Sequence, residues 1–145
     1  MYFDDLPVGY TFKTGIRTLS KTDILDFARQ WDPQSFHTDP EAAKASPYGG
    51  LIASGFQTML TAFNLILDAN VWNEASMGSP GMENLRWVRP VRPGDTLRVK
   101  AVATSSIPSK SRDDRGRTGF QHTVLNQNDE VVMTYHSVQI LARRR

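Results

Sequence analysis

A chain of 145 residues is the length of one domain, 1–145, long enough to bury about two-thirds of the surface its unfolded form exposes. Its apolar fraction of 39% and charged fraction of 22% are those of an ordinary soluble protein, and zero cysteines exclude a disulfide framework, a thiolate nucleophile and cysteine-ligated zinc. The net charge of +2 is less than Arg143-Arg144-Arg145 alone supplies, which argues against nucleic acid as a partner, and three histidines leave little room for a multi-histidine metal site.

The opening Met1-Tyr2-Phe3-Asp4-Asp5 has no basic segment ahead of an apolar run, so no signal peptide is expected and the protein is placed in the cytoplasm. Residues 8–18 alternate apolar and polar well enough for a strand, broken by Gly9 and Gly15. Ser20 or Thr22 can cap a helix running to about Trp31, with Asp23 and Asp26 near its positive end and Ile24, Leu25, Phe27, Ala28 and Trp31 on its apolar face.

Residues 32–40, Asp-Pro-Gln-Ser-Phe-His-Thr-Asp-Pro, carry two prolines with turn formers between them, which forbids a continuous helix and predicts a rigid loop. Asp39 caps, and Pro40 starts, a short helix to about Ala45, ended by Ser46-Pro47. Tyr48-Gly49-Gly50-Leu51-Ile52-Ala53-Ser54-Gly55 then leads into the helix around which the chain is organised, residues 55–68. Its apolar residues Phe56, Met59, Leu60, Ala62, Phe63, Leu65, Ile66 and Leu67 spread around most of the cylinder, which predicts burial. At about 20 Å it is too short to span a bilayer, so its wrapping must come from protein.

Residues 70–81 read as irregular and 85–89 as a strand. Pro93-Gly94 is the signature of a type II turn, and residues 96–103 alternate cleanly as a half-buried strand. Residues 107–116 read as a solvated loop containing Lys110, Arg112 and Arg115, with Arg117 just after it. Residues 117–125 and 130–141 form two strands joined by Asn126-Gln127-Asn128-Asp129, a hairpin by residue type. His122 and His136 fall in these strands as structural histidines, Arg86, Arg89, Arg92 and Arg98 fall on sheet faces or turns, and Arg143 to Arg145 read as a disordered tail. The pattern as a whole predicts an α+β fold, an antiparallel sheet around one central helix.

Two features could carry chemistry. A carboxylate at Asp32 and an imidazole at His37, held by a proline-stiffened loop, could share a water and exchange its proton near neutral pH; equally, Asp32 could cap a turn and His37 be merely exposed. Gly55 could admit another molecule to the unpaired N–H groups of the helix start, or could serve only for close packing.

Taken together, Asp32-x4-His37-Thr38-Asp39-Pro40-x-Ala42-Ala43, then Gly49-Gly50-Leu51-Ile52-Ala53-Ser54-Gly55, then Leu85-Arg86-Trp87-x2-Pro90-Val91-x-Pro93-Gly94-Asp95-Thr96-Leu97, resemble the motifs of MaoC-like dehydratases and (R)-specific enoyl-CoA hydratases. The similarity spans roughly residues 5–140. It implies a hot-dog fold, a curved antiparallel sheet wrapped around a central α-helix, paired as a homodimer or dimer of dimers. It implies reversible hydration of a 2-enoyl-CoA or enoyl-ACP thioester, with Asp32 and His37 as the catalytic acid/base pair and Ser54 and Gly55 binding the substrate, the Gly55 N–H meeting the thioester oxygen. Many relatives carry His where this chain has Ser54. No metal or redox cofactor is implied, coenzyme A entering only as part of the substrate, and neither nucleic acid nor membrane is a partner. Lys110, Arg112, Arg115 and Arg117 are candidates for the coenzyme A phosphates. A hot-dog acyl-CoA thioesterase and a non-catalytic acyl-CoA-binding scaffold are the alternative readings; retention of both Asp32 and His37 favours hydration.

Overall fold

Six strands and four helices, with two short 3-10 turns, are formed by residues 1–144, those described by the computed structural model. In chain order they are β1 (Thr11–Lys13), β2 (Arg17–Thr18), α1 (Lys21–Trp31), α2 (Ser35–Thr38), α3 (Pro40–Lys44), α4 (Gly55–Asp68), β3 (Gly81–Trp87), β4 (Thr96–Pro108), β5 (Arg115–Leu125) and β6 (Val131–Ala142). The sheet is antiparallel in the order β1-β4-β5-β6-β3, with β2 paired to β4 beside β1. This sheet and its helix α4 are the hot-dog arrangement that the sequence resemblance implied.

Alternation builds the inner face of the sheet. Val99, Ala101 and Ala103 of β4, Phe120, His122 and Val124 of β5, and Met133, Tyr135 and Leu141 of β6 are all buried. Bulges interrupt the ladder between Ala103 and Ser105, between Val124 and Leu125, and between Glu83 and Arg86, where Asn84 takes φ +52°. Each bulge adds bend and twist, which lets one sheet curve around a helix. Trp72 stacks on Phe120 at 4.8 Å and meets Phe12 edge-on at 5.7 Å, closing the core below α4. No helix among the described residues is long and apolar enough to cross a membrane.

The sequence expectations hold for most elements and fail at identifiable places. Ser20 caps α1 by accepting from the Asp23 N–H, and Asp39 caps α3 by accepting from Glu41 and Ala42. The turn at 92–95 closes through Asp95 N–H to Arg92 O at 3.0 Å with Gly94 at φ +87°. The stretch 8–18 is two short strands rather than one, split at Thr14-Gly15. The loop between Pro33 and Pro40 contains a full helical turn, α2, because a proline at each end leaves the residues between free to coil.

The expected solvated loop 107–116 is shorter than its polarity suggested. The ladder continues through Ile107↔Arg117 and Pro108↔Gly116, since backbone pairing does not require apolar side chains. Likewise β3 starts at Gly81, inside the stretch expected to be irregular. Arg143 and Arg144 are not disordered: Arg143 pairs with Asp4 at 2.8 Å and lies over the Phe3 ring, and Arg144 pairs with Asp5 and lies over Tyr2. The acidic residues at the start of the chain, far away in sequence, receive the basic run. Arg145 lies outside the described residues.

Burial of α4 on all sides is also corrected. Thr58, Thr61, Ala62, Leu65 and Ile66 face the sheet, but Phe56, Leu60 and Phe63 remain 62%, 56% and 40% exposed. One sheet can cover only one side of a cylinder. The apolar residues of the far side form a stripe at i, i+4, i+7, and β3, whose residues are almost all exposed, runs beside it as the sheet's open edge.

Candidate active site

Three segments meet at the N-terminal end of α4. Pro33 biases the residue before it away from helical geometry, so α1 stops at Trp31 and Asp32 becomes its C-cap, with φ −153° and ψ 69°. The turn α2 then carries His37 back over Asp32. The segment before α4 is tied down by Ile52 N–H to Phe36 O at 3.1 Å and Ala53 N–H to Val91 O at 2.8 Å.

The hydrogen bonds of His37 fix its tautomer. Nδ1 lies 2.8 Å from the Ile52 carbonyl oxygen, which can only accept, so Nδ1 carries the hydrogen and donates it. In the neutral ring Nε2 is then bare, and it faces Asp32 Oδ2 at 3.3 Å. Two lone-pair atoms face each other across a gap that one proton or one water could bridge. The Asp32 carboxylate accepts from Gln34 Nε2 at Oδ1 and from Ser54 Oγ at Oδ2, each at 2.7 Å. Burial pushes its carboxyl up, but the bonds from Gln34 and Ser54 and the adjacent His37 outweigh that and hold its pKa below the ordinary carboxylate value.

Ser54 takes a different place from the one expected. Its side chain is fully buried, and its hydroxyl accepts from the Phe56 N–H at 3.2 Å as the cap of α4 while donating to Asp32. It braces the carboxylate from behind instead of facing a ligand. Gly55, the first residue of α4, lines the groove; its N–H has no carbonyl one turn behind it, and among the described residues no acceptor meets it. A Cβ at Gly55 would fall 2.4 Å from Cε2 of Trp87, whose indole Nε1 donates to the Gly55 carbonyl at 3.0 Å. Glycine is therefore required by the tryptophan packed on it.

Asp32, His37, Gly55 and Trp87, with Phe36 and Tyr48, line a groove of about 460 Å³. Asp32, His37, Ser54 and Gly55, singled out from the sequence, meet in one place; Gln34 and Trp87, which also meet there, were not singled out. Gln34 left no signal beyond its place two residues after Asp32. Trp87 left one, lying in the third motif, but nothing in the sequence says that the motif folds onto Gly55.

The basic residues disperse. Arg89 pairs with Glu130, Arg98 with Asp129 and Arg115 with Asp114, while Arg92 donates to the Tyr48 carbonyl at 2.7 Å and so anchors the glycine turn. Arg115 sits opposite Ala142 and Trp87 opposite Met133, nine residues apart along β6, or roughly 30 Å. Lys110, Arg112, Arg115 and Arg117 thus lie at the far end of the sheet from this chain's own groove. His122 is buried with Nε2 2.8 Å from Ser137 Oγ, and His136 Nε2 is 2.8 Å from Thr104 Oγ1.

Comparison with known proteins gives a consistent result. The family model of the MaoC like domain matches residues 6–126. YdeM of Bacillus subtilis is 35% identical over 144 residues, covering 99% of this chain and 100% of that protein. The 3-hydroxybutyryl-CoA dehydratase of Methylorubrum extorquens is 29% identical over 113 residues, 77% of this chain and 69% of that protein. The crystal structure of a MaoC-like dehydratase from Rhodospirillum rubrum superimposes with a TM-score of 0.94 at 36% identity, covering 100% of this chain and 99% of that one.

Proposed function

The chain belongs to the MaoC-like domain family, and from that membership we propose that it is a hydro-lyase interconverting a 2-enoyl thioester and its 3-hydroxyacyl thioester. The observation that carries this reading is Nε2 of His37 facing the Asp32 carboxylate at 3.3 Å, on a groove that Gly55 also lines.

In the hydration direction the thioester oxygen sits on the Gly55 N–H at the positive end of α4. A water held between Asp32 and His37 adds its oxygen to C3 and gives one proton to Nε2. The electrons of the C2–C3 double bond move onto the thioester oxygen, and the enolate formed there is stabilised by the Gly55 N–H, a donor type worth ~10²–10³ in rate. Asp32 offsets the positive charge on the imidazolium. The enolate then collapses and takes at C2 the proton that Nε2 received, so water is added overall and the pair returns to its starting state. Positioned acid/base groups contribute ~10²–10⁴.

The same reading takes the protein to be a homodimer or dimer of dimers. The exposed stripe of Phe56, Leu60 and Phe63, together with Met82 and Trp87 on the unpaired edge β3, supports a second copy packed there.

The test is spectroscopic: loss of the enoyl-thioester absorbance over a panel of enoyl-CoA chain lengths, with free thiol followed in parallel. Absorbance loss without thiol supports hydration; thiol release without hydration replaces it with the thioesterase reading.

A further inference from the structure

A second cavity, of about 410 Å³, opens beside the outward stripe of α4, next to the edge strand β3, and reaches in to residues of β5 and β6. Its walls are apolar, chiefly Met59, Leu60, Phe63 and Met82, but part of its lining is not: Ser137, Gln139 and His122 contribute to it and are 3%, 8% and 1% exposed. These three are joined. His122 Nε2 is 2.8 Å from Ser137 Oγ, and Gln139 Nε2 donates to the same oxygen at 3.3 Å. His122 Nδ1 is buried without a hydrogen-bond partner among the described residues. Leaving a buried polar atom unpaired costs about 1–3 kcal/mol, so polar groups placed below an apolar cavity ask for a purpose.

The two cavities have no lining residue in common, but both lie along α4 and β3. Phe56 lines the catalytic groove and Leu60 and Phe63, one and two turns further along the same helical stripe, line the second cavity. On β3, Trp87 lines the first and Gly81 and Met82 the second. From Gly55 to Phe63 is roughly 12 Å along the helix axis, comparable to an extended acyl chain of about ten carbons. A chain whose thioester rests on Gly55 and which follows the space between α4 and β3 ends above Ser137.

Resting on the hydro-lyase reading, we propose that this second cavity receives the far end of the acyl chain and that Ser137, Gln139 and His122 select a chain ending in a neutral hydroxyl over one ending in a methyl. A carboxylate end is disfavoured because no lysine or arginine lines the cavity. Nor can His122 serve as a cation near neutral pH, since burial and the nearby His136 lower its pKa to about 3. A hydroxyl both donates and accepts, and so can enter the Ser137–Gln139 network whichever way its hydrogens run.

Binding of saturated thioesters tests this without requiring turnover. Calorimetric titration of the intact protein with ω-hydroxydecanoyl-CoA and with decanoyl-CoA should show the hydroxyl form binding tighter by about tenfold or more, the discrimination open to a site that loses a hydrogen-bond partner. In Ser137→Ala and Gln139→Leu that preference should vanish or invert. Because the readout is a ratio of two ligands on one preparation, a partly unfolded variant does not disturb it. Equal or reversed preference in the wild type overturns the inference, as does a preference that both variants retain. A hydroxyl preference in a protein that hydrates no enoyl thioester leaves the cavity assignment standing and overturns the hydro-lyase reading instead.

Discussion

At Asp32 the carboxylate works only while ionised, and two neighbours keep it so. Replacing Ser54 by Ala removes the 2.7 Å bond to Oδ2, one of the interactions that lower its pKa. The Asp32 pKa should then rise, and the acid limb of the kcat–pH profile should move to higher pH in S54A, with the alkaline limb unchanged. An unmoved acid limb would mean that Ser54 does no more than cap α4. Gly55→Ala is the second residue-scale probe. Its Cβ must displace the Trp87 indole, so we expect a shifted tryptophan emission and a kcat lowered about tenfold or more by the misplaced helix start. Unchanged emission and turnover would contradict the packing described. Asp32 and His37 serve one water, so Asp32→Asn and His37→Ala should each lower kcat by roughly 10²–10⁴ and the double variant should be little worse than either. Additive losses would separate their roles. That a carboxylate and an imidazole lie five residues apart was legible in the sequence. That Ile52 selects the tautomer was not, because that bond spans fifteen residues and is made by a backbone carbonyl, which any residue could supply.

Among the elements, α4 was the most legible: its bounds of 55–68 are those read from its run of apolar residues. Which of its faces is buried was not legible, since apolar residues occupy both. The hydrophobic residues that meet the sheet and those that meet another molecule satisfy the same periodicity. The outward stripe makes a prediction of its own. Leu60→Asp puts a charge in its centre while leaving the sheet-facing residues untouched, and should convert the assembly to monomer in sedimentation velocity while leaving the far-ultraviolet circular dichroism in place. Loss of secondary structure together with the assembly would show that the stripe is part of the core. The C-terminal run was misread because composition reports charge but not its partner. Arg143 and Arg144 hold Asp4 and Asp5 at the chain's other end. Deleting residues 143–145 should lower Tm, increasingly so at low salt, yet keep turnover within about twofold, because these surface pairs lie away from the groove. A large rise in KM would instead place the run on the substrate.

For the molecule as a whole, the fold class was legible because a buried helix followed by several half-buried strands has few other solutions. The site was legible only as separate pieces: Asp32 and His37 in one motif, Gly55 in a second and Trp87 in a third, joined by contacts across 22 and 32 residues. Wild-type protein at micromolar concentration should sediment as a dimer or tetramer, since β3 presents an open edge beside an apolar stripe. A monomer alone would leave that edge unexplained. The central claim, that the Asp32–His37 pair adds water across an enoyl thioester held at Gly55, is tested most directly by mixing the purified protein with crotonyl-CoA and following the enoyl absorbance and free thiol together. The account predicts that the absorbance falls to a hydration equilibrium with no thiol released, and that Asp32→Asn and His37→Ala slow the fall by roughly 10²–10⁴. A fall that both variants match at the wild-type rate, or thiol appearing in step with it, would contradict the account.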